Sequence, residues 1–487
     1  MDRVIEEGGY EMDPILAERF GDRITDDRWE RITYGRDLAE VPGIFRAFLQ
    51  LKTVPDLVVR PISTEDVAAV LQYAEKRNIP VIPRGSGSSA FFNSVPINKG
   101  ITVDLSGLSG IENLDEENEV VTVGAGQRWE DLDKKLRTKG WAICSYPSSA
   151  PTATVGGWLN MEGYGIGSLA FGSLLDQVAE LEVVLADGSI RSVSRDTTPA
   201  LSWFAGSDGT LGIVTKVSLN IRRIPSAESH WLISFRDAET LSKAARILAQ
   251  ASPRPYNMGY FSLGYFEFLS RFGHVVPEGE ILAVDFEGDP SDILKGEEVV
   301  HRVVKEFSAV LVPQELVQVE WEERFYHMRI KRFGPTLMAA EDWLPIQELG
   351  PYQERIARLG KNKKTKFYSY GTFVNSEKMT LFTAYRADAR QGLGYIVAMA
   401  LTGSLHRLAI QLGGHPYSVG FWNTPYLPSI YSQDTLNMLK ERKQQLDPKG
   451  ILNPGKHYKY PTLLPPWFFT MGTGVASLLQ RFTGPKE

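Results

Sequence analysis

The chain reads as an α+β protein of more than one domain, and three features of its 487 residues point there. A strand-helix-strand run lies near the N-terminus, a series of short glycine-punctuated strands follows, and a region from about 230 to 435 mixes strands with long helices. With 43% hydrophobic residues the chain can bury large cores, and its length gives a prior of about three domains.

Residues 56–61, DLVVRP, predict a strand. Ser63 with Asp66 is expected to form a capping box, and Val67, Val70, Leu71 and Ala74 then repeat at helical spacing. A second strand, IPVIP at 79–83, completes a β-α-β unit and runs directly into RGSGSSAFF. ITVDL (101–105) and EVVTV (119–123) follow as strands, then a helix from Trp129 to Thr138 stopped by Gly140. Residues 145–172 are so rich in Gly, Ser, Thr and Pro that regular structure can take up only part of them, which leaves backbone amides to meet a ligand. Asp187-Gly188 between two strand-like runs signals a hairpin. Ile213, Thr215, Val217, Leu219 and Ile221 alternate along one face of a strand that Pro225 ends. The region from about 230 to 435 concentrates six of the seven histidines, and LDPKGILNPGKHY precedes an apolar tail.

Charge excludes some functions. Lys and Arg number 53 against 59 Asp and Glu, and a net charge of −6 offers nucleic acid no general attraction. The single cysteine, Cys144, rules out an internal disulfide and any four-cysteine metal or iron–sulfur site built by this chain alone. The acidic N-terminus, MDRVIEEGGYEMDP, lacks the apolar core of a secretion signal, and no stretch approaches a membrane span. A cytoplasmic location is expected.

RGSGSS looks built to hold phosphate. Gly85, Gly87 and Ala90 satisfy the G-x-G-x-x-A spacing of a dinucleotide fingerprint. That fingerprint must open a helix, however, and AFFNSVPINKG has no helical periodicity and contains Pro96. A plain glycine turn between strands also fits this stretch taken alone.

Further segments, in order, narrow the choice: VVRPISTEDVAAVLQYAEKRNIPVIPRGSGSS, GITVDLSGLSGI, VTVGAG, YPSSAPTATVGG, VLADGSI, AGSDGTLGIVTKVSLNI and LDPKGILNPGK. This series resembles FAD-linked oxidases of the vanillyl-alcohol oxidase superfamily (the PCMH-type FAD-binding proteins), and within it the D-lactate dehydrogenase and glycolate oxidase flavin-subunit group. The resemblance is strong over about 30–225, clear over 436–457 and faint between. It implies an N-terminal segment (1–50), a two-subdomain FAD-binding domain (51–226), an α+β substrate or cap domain (227–435), and a C-terminal segment (436–487) returning to the FAD domain. Carried over residue by residue, it assigns Pro83, Arg84, Gly85, Ser86, Gly87, Ser88, Ser89, Pro147, Ser148, Thr154, Gly157 and Ile213 to the cofactor. Successive amides around Gly85–Ser89 can cradle a diphosphate without adding charge. Some superfamily members attach FAD through a histidine in this turn; Ser88 and Ser89 stand there, so FAD is expected to be non-covalent.

The match departs in the cap. Relatives that oxidise D-2-hydroxy acids carry HxGDGN-type and GEHGIG-type segments that supply metal ligands and a base. Here YSYGTFVNSEKMTLFTAYRAD (368–388) has no histidine, and LGGHPYSVGFW (412–422) lacks the Glu-His pair. No catalytic metal is expected. The candidate base is His415, with Tyr417 as an acid–base or stacking group and Arg329 as a carboxylate clamp; Tyr368 and Tyr370 are alternatives to Tyr417, and Arg332 to Arg329. His406, on an amphipathic helix beside Arg407, is expected on an exposed face.

The expected function is FAD-dependent oxidation of a small 2-hydroxy acid such as D-lactate or glycolate, or a related alcohol. With no clusters of its own, the chain would pass electrons to a partner iron–sulfur subunit, as relatives do. Two alternatives stay open: a flavin-bearing electron-transfer or assembly subunit without its own substrate, and an oxidase using oxygen directly. The tail LLPPWFFTMGTGVASLLQRF (463–482) could pack on its own body, dock a partner or make peripheral membrane contact.

Overall fold

The computed structural model describes residues 13–39, 41, 46–47, 49–391 and 393–458. Three sheets organise them. The first has four strands in the order β1 (Ile24–Thr25), β2 (Leu57–Val59), β4 (Ile101–Asp104), β3 (Val81–Arg84), with β2, β4 and β3 parallel. Parallel strands need a crossover, and the helix Thr64–Arg77 supplies it between β2 and β3. Its apolar face, Val67, Val70, Leu71 and Ala74, is buried against the sheet. Ser63 caps it by accepting from the Asp66 amide. The reciprocal half of the expected box is absent: the Asp66 carboxylate accepts instead from the Ile62 amide and pairs with Arg19 and Arg23.

The second sheet is antiparallel, ordered β5 (Ile111–Asp115), β6 (Val120–Gly124), β10 (Ile213–Arg223), β8 (Val178–Val184), β9 (Ile190–Val193), with β7 (Trp141–Ile143) also on β10. Along β10 the five alternating residues from Ile213 to Ile221 are all buried, but a register shift against β8 between Val214 and Lys216 divides them: Ile213 enters the first sheet's core, while Val217, Leu219 and Ile221, joined by Val214, enter the second's. Gly188 takes a φ of 81° in the β8–β9 hairpin.

The third sheet has eight strands in the order β14 (Val310–Leu311), β11 (Ala227–Phe235), β13 (Glu280–Gly288), β12 (Asn257–Phe261), β16 (Phe367–Phe373), β17 (Lys378–Ala387), β15 (Thr336–Pro345), β18 (His415–Pro416). One face carries the helices Ala238–Ala249, Pro290–Glu306, Leu349–Lys363 and Leu393–Gln411 over a core that includes Ile233, Leu282, Ala340 and Leu381. Strand neighbours of opposite parity, Leu232 and Ile281, enter a separate cluster on the other face. That other face looks toward the first two sheets. Ile451 and Leu452 bring the chain back into the first sheet's core, where the Asn453 amide donates to Val81 O. The tail at 463–482 lies outside the described residues.

Candidate active site

β3 buries Val81 and Ile82 and delivers residues 85–90 to the mouth of a cavity of about 440 Å³ between the first two sheets and the third. The second wall is the loop 147–154, ending in the short helix Val155–Leu159. Thr154 Oγ1 caps that helix by accepting from the Gly157 amide at 3.2 Å. The two walls touch at Gly85, where a Cβ would lie 2.2 Å from Thr154 Oγ1. Gly87 has φ +65°, and a Cβ there would meet the Arg84 guanidinium. That guanidinium donates to Arg36 O at 3.0 Å and lies over the Tyr34 ring. Glycine is thus required at both positions, once by contact and once also by backbone conformation.

Among the described residues, the amides of 86 to 89 and of Ser148 donate to no protein group. On loops that line a cavity, such free amides are the donor set a diphosphate needs, and this chemistry fits FAD. The loop is held from behind. The half-buried Asp37 carboxylate accepts from the Ala39 and Phe92 amides, and desolvation pushes it up to about 7. Asp208, at φ +52°, accepts from Asn93 Nδ2, the Gly420 amide and His457 Nε2. Asn453 Nδ2 donates to both Asn93 O and Asp208 O, and Lys456 Nζ to Val95 O. The C-terminal segment therefore ties the glycine loop, the 208 turn and the cap together.

The far end of the cavity is built by the third sheet. Successive strand residues face opposite ways, so in β15 Asp342 turns to the helix layer, where its Oδ1 bonds His406 Nδ1 at 2.6 Å, and Glu341 lines the cavity. Across the strands Glu341 is opposite Phe382, and Phe382 is opposite Tyr370, on which it stacks at 4.9 Å. Burial, reinforced by Asp342, pushes the Glu341 carboxyl up to about 7. Burial drives the His327 imidazole down to about 3, so this lining residue is neutral. Tyr417 OH accepts from the Tyr164 amide at 2.9 Å, and burial holds its phenol well above the usual range.

Of the residues assigned to the cofactor, Pro83 through Ser89, Pro147, Ser148, Thr154 and Gly157 line this one cavity. Ile213 does not: it is buried in the first sheet's core, and its neighbour Val214 faces the cavity. Of the three catalytic candidates only Tyr417 lines it. His415 sits on the edge strand β18 opposite Trp343, its Nδ1 3.0 Å from Pro416 O, and burial lowers its pKa. Arg329 is buried and spent on Glu320 and Glu323, while Arg332 is exposed. His406 corrects the expectation of an exposed face, being 3% exposed. Sequence reasoning missed Glu341 and His327; only the strand parity of Glu341 and the place of both in the fold single them out. Among the described residues, no group of three or more His, Cys, Asp and Glu is placed to hold a metal ion, and no helix is long and apolar enough to cross a membrane.

Comparison with known proteins agrees with this geometry. Residues 55–194 match the family described as FAD binding domain, and residues 224–457 match FAD linked oxidases, C-terminal domain, together more than two thirds of the chain. The glycolate oxidase subunit GlcD of Bacillus subtilis is 25% identical, over 84% of this chain and 90% of its own. The D-lactate dehydrogenase of Archaeoglobus fulgidus is 25% identical over 82% and 90%. Among solved structures, p-cresol methylhydroxylase with substrate bound superposes with a TM-score of 0.78 at 15% identity, covering 91% of this chain and 95% of that one.

Proposed function

The chain belongs to the FAD-linked oxidase family and takes FAD as its cofactor; from that premise we propose that it oxidises the CH–OH group of a small hydroxy compound, a 2-hydroxy acid or a related alcohol, at the third-sheet end of its cavity. The observation that carries this is one cavity with glycine-loop amides unpaired among the described residues at one end and a partly buried carboxyl, Glu341, at the other. The residues that would hold the cofactor without a covalent bond are the 85–89 loop, Ser148 and Thr154. When bound, FAD supplies the acceptor for the hydride that leaves the carbinol carbon.

Glu341 takes the hydroxyl proton in this reading. Its carboxyl titrates near neutrality, which matches a general base at working pH. A carbon that loses hydride and a hydroxyl that loses its proton leave a carbonyl, so both electrons and the proton are accounted for. Tyr417, held by the Tyr164 amide, positions the substrate, and Tyr370 with Phe382 excludes water from one side. Electrons then pass to a partner iron–sulfur subunit. Two observations support this step: the single cysteine is buried and can build no cluster, and the Bacillus relative is itself named a subunit.

Glu341→Gln tests the assignment. Anaerobic bleaching of the flavin by substrate is expected to slow about 100-fold or more, with FAD still bound. In the unmodified protein the rate is expected to fall as pH drops through about 7, where the carboxyl protonates. Bleaching at an unchanged rate in the variant would remove Glu341 from the mechanism.

A further inference from the structure

The substrate end of the cavity has an unbalanced charge inventory. Arg84 is the sole Lys or Arg among the described lining residues, and it sits at the glycine loop, bonded to Arg36 O and packed on Tyr34. At the other end the lining consists of Glu341, neutral His327, the phenols of Tyr164, Tyr370 and Tyr417, and apolar or hydroxyl side chains such as Phe382 and Thr380. Arg329, the guanidinium nearest in sequence to His327, is neutralised by Glu320 and Glu323 outside the cavity. A carboxylate beside the reacting carbon needs a fork of donors or a cation. Here the lining offers it neutral donors alone, the phenols and the His327 imidazole, beside the negative carboxylate of Glu341.

Resting on the oxidation reading above, we propose that the site selects an uncharged alcohol and rejects 2-hydroxy carboxylates, with Glu341 both receiving the hydroxyl proton and repelling the anion. The geometry requires both roles at once. A base within reach of a carbinol hydroxyl lies only a few ångströms from a carboxylate on the same carbon, and in a water-poor site two like charges that close are strongly unfavourable. The aromatic row of Phe382 and Tyr370 offers the alcohol's apolar part a surface instead. The charge on Glu341 is set by few neighbours. Asp342 precedes it on the far side of β15, Tyr370 reaches it from β16, Tyr417 comes from the segment after β18, and β17 opposite contributes the uncharged Phe382.

The test uses the FAD-loaded protein and two ligands that cannot react, because neither has a hydrogen on its carbinol carbon: 2-phenylpropan-2-ol and the matched acid, 2-hydroxy-2-phenylpropanoate. Dissociation constants come from perturbation of the flavin spectrum. At pH 8.5 the alcohol is expected to bind at least ~10-fold more tightly than the acid. The gap is expected to narrow toward pH 6, as Glu341 protonates while the ligand stays ionised. Glu341→Gln is expected to tighten the acid at pH 8.5 and to weaken the alcohol, which loses a charged acceptor for its hydroxyl, and such opposite movements are not what a general loosening of the fold would produce. Equal or tighter binding of the acid, or no measurable binding of the alcohol, overturns the proposal. Flavin reduction by lactate or glycolate faster than by a matched uncharged alcohol also overturns it but leaves the oxidation reading standing. Failure of every candidate to reduce the flavin, with the binding preference intact, would strike the oxidation reading instead.

Discussion

Replacing Gly85 by alanine probes whether the two walls of the cofactor cavity are in contact. The added Cβ would lie 2.2 Å from Thr154 Oγ1 and 3.3 Å from Thr154 Cβ and Cγ2. An ordinary contact needs the first of these distances to grow by roughly 1 Å, since attraction turns to steep repulsion inside normal separation. Thr154 cannot swing away freely, because its Oγ1 accepts from the Gly157 amide. Overpacking of this kind costs about 1–3 kcal/mol. Because FAD needs both walls at native spacing, that cost appears as a dissociation constant raised about 5- to 150-fold. Thr154→Ala alone removes a helix cap, worth about 1 kcal/mol. In the double variant the clashing oxygen is gone, so the loss is expected to match Thr154→Ala alone, a coupling of about 1 kcal/mol or more in favour of the pair. Thr154→Ser keeps the oxygen and is expected to give no rescue. FAD titration of the apoprotein by flavin fluorescence measures all of these. Strictly additive losses would refute the contact.

Two further perturbations test the supports behind the site. Lys456 Nζ donates to Val95 O, and burial pushes the ammonium down to about 7, against about 10.4 for an unfolded lysine. Between those values the unfolded chain holds more protons than the folded one. Stability is therefore expected to rise with pH across that window and to be flat, for this group, below it; urea unfolding of Lys456→Met is expected to lose this rise, and an unchanged slope would count against the assignment. His406→Leu leaves the buried Asp342 carboxylate without its bond. A loss of about 3 kcal/mol is expected, largely restored by adding Asp342→Leu, and a single variant as stable as the parent would show that the pair does not matter.

The parts of this protein legible in its sequence are those whose cause is local. Gly85 and Gly87 announce a close backbone approach because a Cβ at 85 would meet Thr154, and one at 87 would meet Arg84 at a φ that side chains rarely adopt. The β10 strand is legible from its alternation, although a register shift between Val214 and Lys216, invisible in the string, sends Ile213 into a different core from Val217, Leu219 and Ile221. The β-α-β unit follows from a cap, a helical stripe and two apolar runs, all within thirty residues. Even there the reach of local reasoning is short. The Asp66 side chain left the Ser63 amide for Arg19 and Arg23, more than forty positions away.

The substrate end was hidden because its identity is decided by pairs that form across the fold. In MAAEDWLP, Glu341 and Asp342 are chemically alike, and nothing in the string says which faces a ligand. The choice is made by His406, sixty-four positions later, which takes Asp342 into the helix layer and leaves Glu341 on the opposite face. The same pairing defeated the helical pattern around His406, since a buried polar residue with a partner occupies a core position that an apolar residue would otherwise mark. Arg329 erred in the other direction: a basic run suggested a carboxylate clamp, and two glutamates from the preceding helical stretch consumed its charge. Each case turns on whether a charged group keeps its charge free for a ligand. A residue's type states the charge, but only its partner states whether any remains, and the free carboxyl of Glu341 is what survives that subtraction at the catalytic end.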